Sequence, residues 1–305
     1  MRVWVHIDNA PHAWFFWPIV EELRARGVEV LITARDLGGA LKLARQLGLE
    51  AEPLGAHSGR LLGKARALAE SVQQMLGWLK GKRVLLALSH NSYSQLVAAK
   101  LAGLRAITFM DYEGQPANHL FRLARLVVVP EAFPDAALKR FGARRVFKYP
   151  GFKEEVYLAR WEPGPDPWPE HPVALIRPPA RYALYRPKDT GLIPKIKEYL
   201  EKKGFKVVVL ERGQVLGPGP DLLLHADAFF GAGGTMTREA ALLGTPSHTL
   251  FPKPLPGVDR KLVKMGLLVD LRDGDLSKVR LERPEKPRLN GRLASLLAER
   301  ILEEL

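Results

Sequence analysis

The stretch FGAGGTMTREAALLGTPS, residues 230–247, decides the fold of this chain. An apolar segment ends in three closely spaced glycines, two threonines follow, and an alanine- and leucine-rich run stops at Gly244 and Pro246. This order is typical of a strand, a tight turn and a helix. In an open parallel sheet such a turn lies at the carboxyl end of its strand, where ligands bind.

The turn has the features of a phosphate site. Its glycines permit positive φ and close approach of a ligand to the backbone. The helix that begins near Thr235 presents unpaired N–H groups and a positive dipole end to phosphate oxygens, and Glu239 is placed to accept bonds from a sugar diol. The candidate binding residues are Gly231, Gly233, Gly234, Thr235, Thr237, Arg238 and Glu239. The alternative is a tight turn without a ligand, which would need only one or two glycines.

Two nucleotide-binding classes do not fit this spacing. No Gly-Lys-Ser/Thr follows the glycines, as a Walker A loop requires, and the pattern is not GxGxxG. The turn also lies in the second half of the chain instead of after the first strand. The sequence therefore argues against a classical dinucleotide dehydrogenase.

Strand-like and helix-like segments alternate on both sides of this stretch. Strand-like runs occupy residues 3–7, 28–33, 84–88, 106–110, 126–130, 173–177, 205–210 and 227–231. Such alternation predicts an α/β fold of two Rossmann-like, doubly wound parallel-sheet domains facing across a cleft. We expect domains at 1–150 and 151–305, a proline-rich linker or loop at 161–172, and a last helix at about 290–305 that packs back on the first domain.

Polar residues follow two strands of the first half. In DNAPH (8–12), Asp8 and Asn9 supply an acceptor and an amide, and His12 could be a general base or a phosphate donor. The alternative for Asp8 and Asn9 is a turn that caps the next helix. In SHNS (89–92), three side chains are expected at the same edge of the sheet, with helix capping as the alternative role. They are Ser89, His90 and Ser92.

The second half adds candidates after the strand VALIR. Arg177 ends that strand and could clamp a diphosphate with two hydrogen bonds. Tyr182 and Tyr185 could line a pocket for the base. A solvated surface arginine is the alternative.

Composition limits the class of protein and its compartment. The 305 residues include no cysteine, so disulfides, thiolate nucleophiles and cysteine-based metal sites are excluded. The eight histidines show no HExxH spacing, and we expect neither a metal nor a cofactor. With no signal-peptide pattern at the start, a cytoplasmic location is expected.

The charge is strongly basic, at +13 overall. Residues 1–150 hold 21 basic and 12 acidic side chains, which favours anionic partners; a solvated, arginine-rich surface is the alternative. No zinc finger, aromatic RNA-binding signature or basic arm points to nucleic acid. The aromatic run WFFWP (14–18) is either core or an interfacial patch, which would put the protein at the inner face of the membrane beside a lipid-linked acceptor.

Four blocks resemble a family of predicted glycosyltransferases, domain-of-unknown-function family 354. They are IDNAPHAWFFWPIVEEL with LITARD, MDYEGQPANHL, YPGFKEEVYL and GAGGTMTREAALLGTP. The glycine turn is also similar to the nucleotide-sugar motif of the GT-B glycosyltransferases and the non-hydrolysing UDP-N-acetylglucosamine 2-epimerases, where a helix glutamate binds the ribose. His12 resembles in position the histidine that closes the first glycine loop of the peptidoglycan N-acetylglucosaminyltransferase.

The resemblance implies a GT-B-like fold with the nucleotide on the C-terminal domain. In the resembling families an acidic residue after the strand AITFM lies near the reacting sugar or the acceptor hydroxyl. This makes Glu113 the first candidate for a catalytic carboxylate and Asp111 the second; either could deprotonate an acceptor hydroxyl or the sugar C2 position. Gly114 stands where the family often has histidine.

We therefore expect a metal-independent glycosyltransferase that uses a UDP-sugar or a similar nucleotide sugar as its substrate. The acceptor would be anionic or lipid-linked, and the sequence does not indicate the oligomeric state. Two alternatives remain open: a 2-epimerase-like sugar-nucleotide epimerase, and a non-catalytic nucleotide-sugar-binding protein.

Overall fold

The computed structural model describes residues 1–36, 39–55, 61–179, 191–210 and 219–305, and divides the chain into two units. Unit 1 comprises Met1–Arg160 with Asn290–Leu305, and unit 2 comprises Trp161–Leu289. Tyr182 and Tyr185 lie outside the described residues.

Unit 1 is built on a parallel sheet whose strand order is β3-β2-β1-β4-β5-β6-β7 in the described residues. The strands are β1 (Arg2–Ile7), β2 (Glu29–Ala34), β3 (Ala51–Pro53), β4 (Leu86–Ser89), β5 (Arg105–Phe109), β6 (Leu126–Pro130) and β7 (Val146–Tyr149). The helices are α1 (Ala10–Ala25), α2 (Ala40–Gln46), α3 (Leu61–Leu79), α4 (Tyr93–Leu101), α5 (Asp135–Arg140), α6 (Glu155–Leu158), α11 (Leu293–Leu302) and a 3₁₀ helix (Pro116–Leu123). The order of the strands reverses between β1 and β4, so this pair is the topological switch point, beside which ligands bind.

Unit 2 has a second parallel sheet, with the order β12-β11-β10-β8-β9. The strands are β8 (Val173–Arg177), β9 (Lys206–Val209), β10 (Ala228–Gly231), β11 (Ser247–Thr249) and β12 (Val269–Asp270). The helices are α7 (Leu192–Lys202), α8 (Gly219–Leu224), α9 (Thr235–Leu242), α10 (Gly257–Lys264) and a 3₁₀ helix (Leu276–Lys278). Here the switch point lies between β8 and β10. The predicted pair of Rossmann-like, doubly wound domains is confirmed.

The central strands β1, β4, β5 and β6 are buried on both faces, which explains their nearly continuous apolar sequences. Val5 and Ile7 of β1 belong to the core that includes residues of α1 and α11. Trp4 points to the other face, where it packs with Met75 of α3 and Leu96 of α4. Because side chains alternate along a strand, His6 shares the Trp4 face.

The division between the units lies after Arg160, not at residue 150. The short helix α6 follows residue 150 and packs on α1: Val156 enters the core of unit 1, and Tyr157 stacks on Trp14 with ring centroids 5.8 Å apart. The C-terminal helix spans Leu293–Leu302 and packs on α1 in the same unit. The second compact unit is therefore 161–289.

The sequence pattern misses the shortest strands and one helix type. β3, β7, β11 and β12 contain two to four residues, too few for a period to be visible. The helix predicted around 116–125 is a 3₁₀ helix. The strand predicted at 84–88 begins at Leu86 and ends at Ser89.

The aromatic run WFFWP belongs mostly to the core of unit 1. Phe15, Phe16 and Pro18 are buried, Trp14 stacks on Tyr157, and the Trp17 indole donates to Glu21 at 2.8 Å. Trp14 and Trp17 remain partly exposed, and contact of this run with a membrane or a lipid-linked acceptor stays a prediction. None of the helices in the described ranges combines the length and apolar character that crossing a membrane requires.

Glu304 anchors the C-terminal segment to unit 1. Its carboxylate is 4% exposed and accepts two bonds from Arg145, both of 2.8 Å, with a third from Arg300 at 2.7 Å. Arg125 adds a bond of 3.3 Å. Burial by itself raises the pKa of this carboxyl, but the arginines outweigh it and lower the pKa.

We predict that Glu304→Ala lowers the free energy of unfolding by about 1–3 kcal/mol, because it leaves three arginines without their shared carboxylate. Urea unfolding followed by circular dichroism measures this loss. The neighbouring Glu303→Ala is the control, since that side chain is 62% exposed and should change stability by under about 0.5 kcal/mol. Equal effects of the two variants would show that Glu304 is not an anchor.

Candidate functional site

The switch point of unit 1 gathers polar side chains from several loops. Asp8 and His12 follow β1, His90 follows β4, Asp111 follows β5, and Lys153 follows β7. We call these five residues the unit 1 cluster. Carboxyl ends of parallel strands meet at one edge of a sheet, which is why loops distant in sequence converge there.

Asp8 is a buried, ionised carboxylate. It is 7% exposed, and Arg35, which follows β2, lies 2.8 Å from its Oδ1. Burial raises the pKa of Asp8, but the charges and hydrogen bonds of His6, Arg35 and Ser92 outweigh burial and hold the pKa well below its usual range. Asp8 is therefore negatively charged at neutral pH.

His12 and His90 are neutral imidazoles whose rings are in contact, tilted by 31°. Their ring centroids are 4.7 Å apart, and Phe15 packs edge-on against His90 at 5.5 Å. Burial lowers the pKa of His12 to about 4 and that of His90 well below its usual value. His12 keeps a partly exposed edge, whereas its Nδ1 atom is buried without a hydrogen-bond partner among the described residues. A neutral imidazole with an available ring nitrogen can accept a proton.

Asp111 and Lys153 complete the cluster with an ion pair. Lys153 Nζ lies 2.6 Å from Asp111 Oδ2, and His90 Nε2 lies 3.8 Å from Asp111 Oδ1. Asp111 is 7% exposed and Lys153 is 4% exposed. Lys153 also lies 3.5 Å from the buried Glu154. Lys153 and Glu154 belong to the block YPGFKEEVYL, and neither was among the predicted site residues.

Glu155, in the same block, has a structural role. Its Oε1 accepts from the Phe152 N–H and its Oε2 from the Asn290 N–H, both at 2.9 Å. A Cβ on Gly151 would lie 2.5 Å from Oε1, so glycine gives the carboxylate room. Glu155 thus fixes the turn that carries Lys153 and ties it to the C-terminal segment.

The loops after β4 and β5 are tied together by amides. Asn91 donates to Asn118 Oδ1 at 3.0 Å, and Asn118 donates to the Tyr112 carbonyl at 3.0 Å. Asn91 has φ of 52°, an uncommon backbone conformation that is often held in place at functional loops. A Cβ at Gly114 would lie 2.2 Å from the Tyr112 hydroxyl, so a histidine at this position would require Tyr112 to move.

The remaining predicted residues of unit 1 are not members of the unit 1 cluster. Glu113 is partly exposed beyond the cluster, and Asp111 is the carboxylate that contacts His90 and Lys153. Asn9 is exposed and its side chain makes no capping bond. Ser92 caps α4 by accepting from the Gln95 N–H at 3.4 Å, and Ser89 accepts from the Ser92 N–H at 3.4 Å. Capping, the alternative considered for these serines, is what their contacts show.

In unit 2 the glycine turn occupies the switch point. Gly231 ends β10 and is the register partner of Arg177, the last residue of β8. Arg177 donates to the Leu210 carbonyl at 2.7 Å, so part of its guanidinium is used to join the ends of β8 and β9. The structure places Arg177 beside the turn, and its contact with a diphosphate stays a prediction.

The three glycines have different reasons to be glycine. Gly231 has no positive φ, contrary to expectation; a Cβ there would lie 2.3 Å from Thr237 Oγ1. Gly233 and Gly234 both have φ of 89°, and a Cβ on Gly233 would meet Phe251 at 2.5 Å. Among the described residues, no atom lies within 4 Å of a Cβ on Gly234, which is exposed at the start of α9. Open space beside the helix N-terminus can admit an anion.

Side chains of α9 divide between the surface and the interior. Thr235 is partly exposed at the first helical position. Thr237 and Glu239 are buried, at 0% and 4% exposure, and Thr237 Oγ1 has no hydrogen-bond partner among the described residues. Arg238 does not reach the surface as a ligand-binding cation would, because its Nε pairs with the fully buried Asp259 at 2.6 Å.

Two other features of unit 2 lie away from the turn. A groove of about 580 Å³ is lined by Pro246 and Gly266, which precede β11 and β12, so it lies at the amino ends of the strands. Asp273 and Asp275 form an Asp-Gly-Asp sequence, but Asp275 caps the following 3₁₀ helix and Asp273 pairs with Lys278. Within the described ranges, no group of three or more His, Asp and Glu side chains is arranged to hold a metal.

His248 is a buried structural imidazole in unit 2. It accepts from the Arg280 N–H through Nε2 at 3.1 Å, lies 3.3 Å from the Phe229 carbonyl through Nδ1, and stacks on Phe230 at 4.2 Å. Burial lowers the pKa of His248 to about 4.

We predict that the free energy of unfolding falls as the pH drops from 6.5 toward 4. His12 and His248 have a pKa of about 4 in the folded protein, so over this pH range they bind protons in the unfolded chain but not in the folded one. For His248 alone the loss is about 2 kcal/mol by about pH 5. The stabilising ionisation of Asp8 is lost only at lower pH. Urea unfolding across this range measures the effect, and His248→Asn should be less stable at neutral pH but have a flatter pH profile. An unchanged profile would contradict the assignment.

The comparisons with known proteins agree with this architecture. The model of the family described as "Protein of unknown function (DUF354)" matches residues 1–162 and 175–280. An uncharacterised protein of Methanocaldococcus jannaschii is 26% identical over 302 residues, which cover 90% of this chain and 88% of that protein.

Two solved structures are similar over nearly the whole chain. The UDP-GlcNAc 2-epimerase of Methanocaldococcus jannaschii, in complex with UDP-GlcNAc and UDP, has a TM-score of 0.72 at 12% identity, with 99% of each chain covered. The Streptomyces sp. SF2575 glycosyltransferase SsfS6, complexed with thymidine diphosphate, has a TM-score of 0.56 at 17% identity, covering 100% of this chain and 95% of that one. These likenesses show a GT-B-like fold.

Proposed function

The chain belongs to the DUF354 family of proteins of unknown function, and from that premise we propose that it is an enzyme acting on a nucleotide-diphosphate sugar. The favoured reaction is transfer of the sugar to an acceptor hydroxyl. The observation that carries the proposal is the content of the two switch points: an open helix N-terminus behind the glycine turn in unit 2, and paired imidazoles and carboxylates in unit 1.

The glycine turn is suited to the diphosphate. Gly234 leaves open space at the start of α9, and the first N–H groups of the helix carry its positive dipole end. In transfer, negative charge grows on the leaving diphosphate, and fixed N–H donors stabilise it without reorganisation. Relatives of the same fold are complexed with UDP-GlcNAc and UDP or with thymidine diphosphate, which supports this ligand class.

The unit 1 cluster is suited to proton transfer. His12 is neutral and would take the proton of the acceptor hydroxyl as its oxygen attacks the anomeric carbon. The bond from that carbon to the diphosphate oxygen breaks, and its electron pair leaves with the nucleotide. The ionised Asp8 stabilises the imidazolium that forms, and Lys153 keeps Asp111 in place beside His90.

Epimerisation at the sugar C2 position is the second candidate. It needs acid–base groups for both faces of one sugar and no acceptor. His12, with the charge of Asp8 nearby, provides an acid–base group for one face. Because its ring lies 4.7 Å from that of His90, both imidazoles would act on that same face, and a group outside the unit 1 cluster would serve the other. The epimerase named above, with its TM-score of 0.72, supports this reading.

One experiment separates the two reactions. The protein is incubated with UDP-GlcNAc, UDP-glucose and their GDP and TDP counterparts, with and without sugar or polyprenyl-phosphate acceptors, and followed by NMR. UDP release that requires an acceptor indicates transfer, and a new sugar configuration without an acceptor indicates epimerisation. If the protein binds a nucleotide sugar but converts neither that sugar nor any acceptor, the catalytic proposal fails. The result would then support a non-catalytic nucleotide-sugar-binding protein.

A further inference from the structure

Two buried hydrogen bonds across β1 and β2, followed by a 3.5 Å polar contact, connect Trp4 to Asp8. The Trp4 indole N–H donates to Thr33 Oγ1 at 2.8 Å, and Thr33 Oγ1 lies 2.8 Å from His6 Nδ1. His6 Nε2 lies 3.5 Å from Asp8 Oδ1. Trp4, His6 and Thr33 are completely buried.

The strand pattern explains why these residues meet. Trp4, His6 and Asp8 alternate along the chain and share one face of the sheet. Thr33 is the register partner of His6 on the neighbouring parallel strand. Strands covered on both faces normally carry apolar residues there. A histidine and a threonine at the centre of such a sheet need partners, and they find each other.

The ionised Asp8 carboxylate opposite Nε2 selects the tautomer of His6. The Trp4 indole N–H can only donate, so Thr33 Oγ1 is its acceptor, and a second lone pair of that oxygen could also accept from Nδ1–H. The Nδ1–H tautomer would set the Nε2 lone pair against the negative carboxylate, so the Thr33 proton goes to Nδ1 of the neutral imidazole. With Nδ1 accepting, the ring proton resides on Nε2, which faces Asp8 Oδ1.

We propose that Trp4, Thr33 and His6 form a positioning chain that holds Asp8 in one orientation in the unit 1 cluster. Arg35 approaches the same oxygen, Oδ1, at 2.8 Å from the loop after β2. One oxygen of the carboxylate is thereby fixed from two sides. The catalytic part of this inference rests on the proposed function, because it assigns to Asp8 the imidazolium that forms at His12.

The groups that face Asp8 come from four elements. They are His6 on β1, Arg35 after β2, His12 on α1, and Ser92 and Tyr93 at the start of α4. Of these, Arg35 lowers the pKa of Asp8 by its charge, and the neutral His6 and Ser92 lower it as hydrogen-bond donors. Removing the His6 donor should therefore raise that pKa even though Arg35 remains.

Imidazole and carboxyl NMR test the chain directly. In the wild-type protein at neutral to mildly alkaline pH, we expect His6 as the Nε2–H tautomer; the Nδ1–H tautomer would overturn the proposal. In His6→Asn, whose amide is too short to reach Asp8, the pKa of Asp8 should rise by at least about 1 unit. In His6→Gln, whose amide nitrogen lies near the position of Nε2, it should stay close to wild type.

The outcome is independent of turnover. Titration of Asp8 in His6→Asn as in wild type would remove the positioning chain and leave the proposed function untouched. If His6→Asn does not fold, the wild-type tautomer and the His6→Gln titration decide. Correct tautomer and titration in a protein that changes no nucleotide sugar would instead keep the chain and overturn the proposed function.

Discussion

Replacing His12 with asparagine is expected to lower turnover by at least about 100-fold while leaving nucleotide binding unchanged. The imidazole is the neutral proton acceptor of the unit 1 cluster, in contact with the ring of His90 and with the charge of Asp8 nearby. Asparagine keeps a polar side chain of similar reach but cannot take a proton at neutral pH. Turnover of the nucleotide sugar at saturating concentration measures the loss.

The pH profile gives this prediction a second readout. Because the pKa of His12 is about 4, the wild-type rate should stay level through neutral pH and fall only as the pH approaches that value. His225→Asn is the matched control, since that imidazole lies in unit 2 and contacts the Gly164 carbonyl at 3.0 Å. A His12→Asn variant as active as His225→Asn would remove His12 from the mechanism.

Replacing Thr235 with aspartate is expected to weaken UDP binding by at least about 100-fold. Thr235 is the first residue of α9, where a negative side chain is favourable for the helix. The same charge repels a diphosphate at the helix N-terminus. The variant should thus be as stable as wild type and still fail to bind, which separates a lost ligand from a lost fold.

Thr235→Val is the matched control for this substitution. It keeps the shape of threonine without adding a charge, so its binding should fall by only a few-fold, the value of one hydrogen bond. Calorimetric titration with UDP gives the dissociation constant of each variant, and thermal unfolding gives its midpoint temperature. If Thr235→Asp binds UDP like Thr235→Val, the diphosphate does not lie at this helix.

Much of the fold could be predicted because most of its strands are short, uninterrupted runs of apolar residues between amphipathic segments. The register of Gly231 beside Arg177 follows from the parallel order of β8 and β10. The boundary after Arg160 could not be found from composition, because it depends on the packing of α6 against α1. A short helix such as α6 is assigned to a unit by its tertiary contacts, which the local sequence pattern does not show.

Only those residues of the unit 1 cluster that directly follow a recognisable strand could be predicted from the sequence. Residues after strand ends, such as Asp8, His12 and His90, are expected at one edge of the sheet, and the structure brings them together. Lys153 follows a four-residue strand and a turn, so nothing local marks it as a partner of Asp111. The preference for Glu113 over Asp111 came from resemblance, and the contacts favour Asp111.

Buried polar residues were the hardest to interpret from sequence. Arg238 stands in a motif of ligand-binding type, yet its charge is used by the buried Asp259. His6 lies inside an apolar strand, where a sequence pattern predicts only a core residue, yet its Nε2 atom lies 3.5 Å from Asp8 Oδ1. In both cases the deciding fact is the partner, which lies far away along the chain.

Calorimetric titration of the wild-type protein with UDP, beside GDP, ADP and thymidine diphosphate, is the decisive measurement of nucleotide binding at the glycine turn. We expect one nucleoside diphosphate to bind in the micromolar range, at one site per chain, with the affinity lost in Thr235→Asp. The preferred base then identifies the donor class. Absence of binding by all four nucleotides would contradict the account, and the glycine turn would be only a connection between β10 and α9.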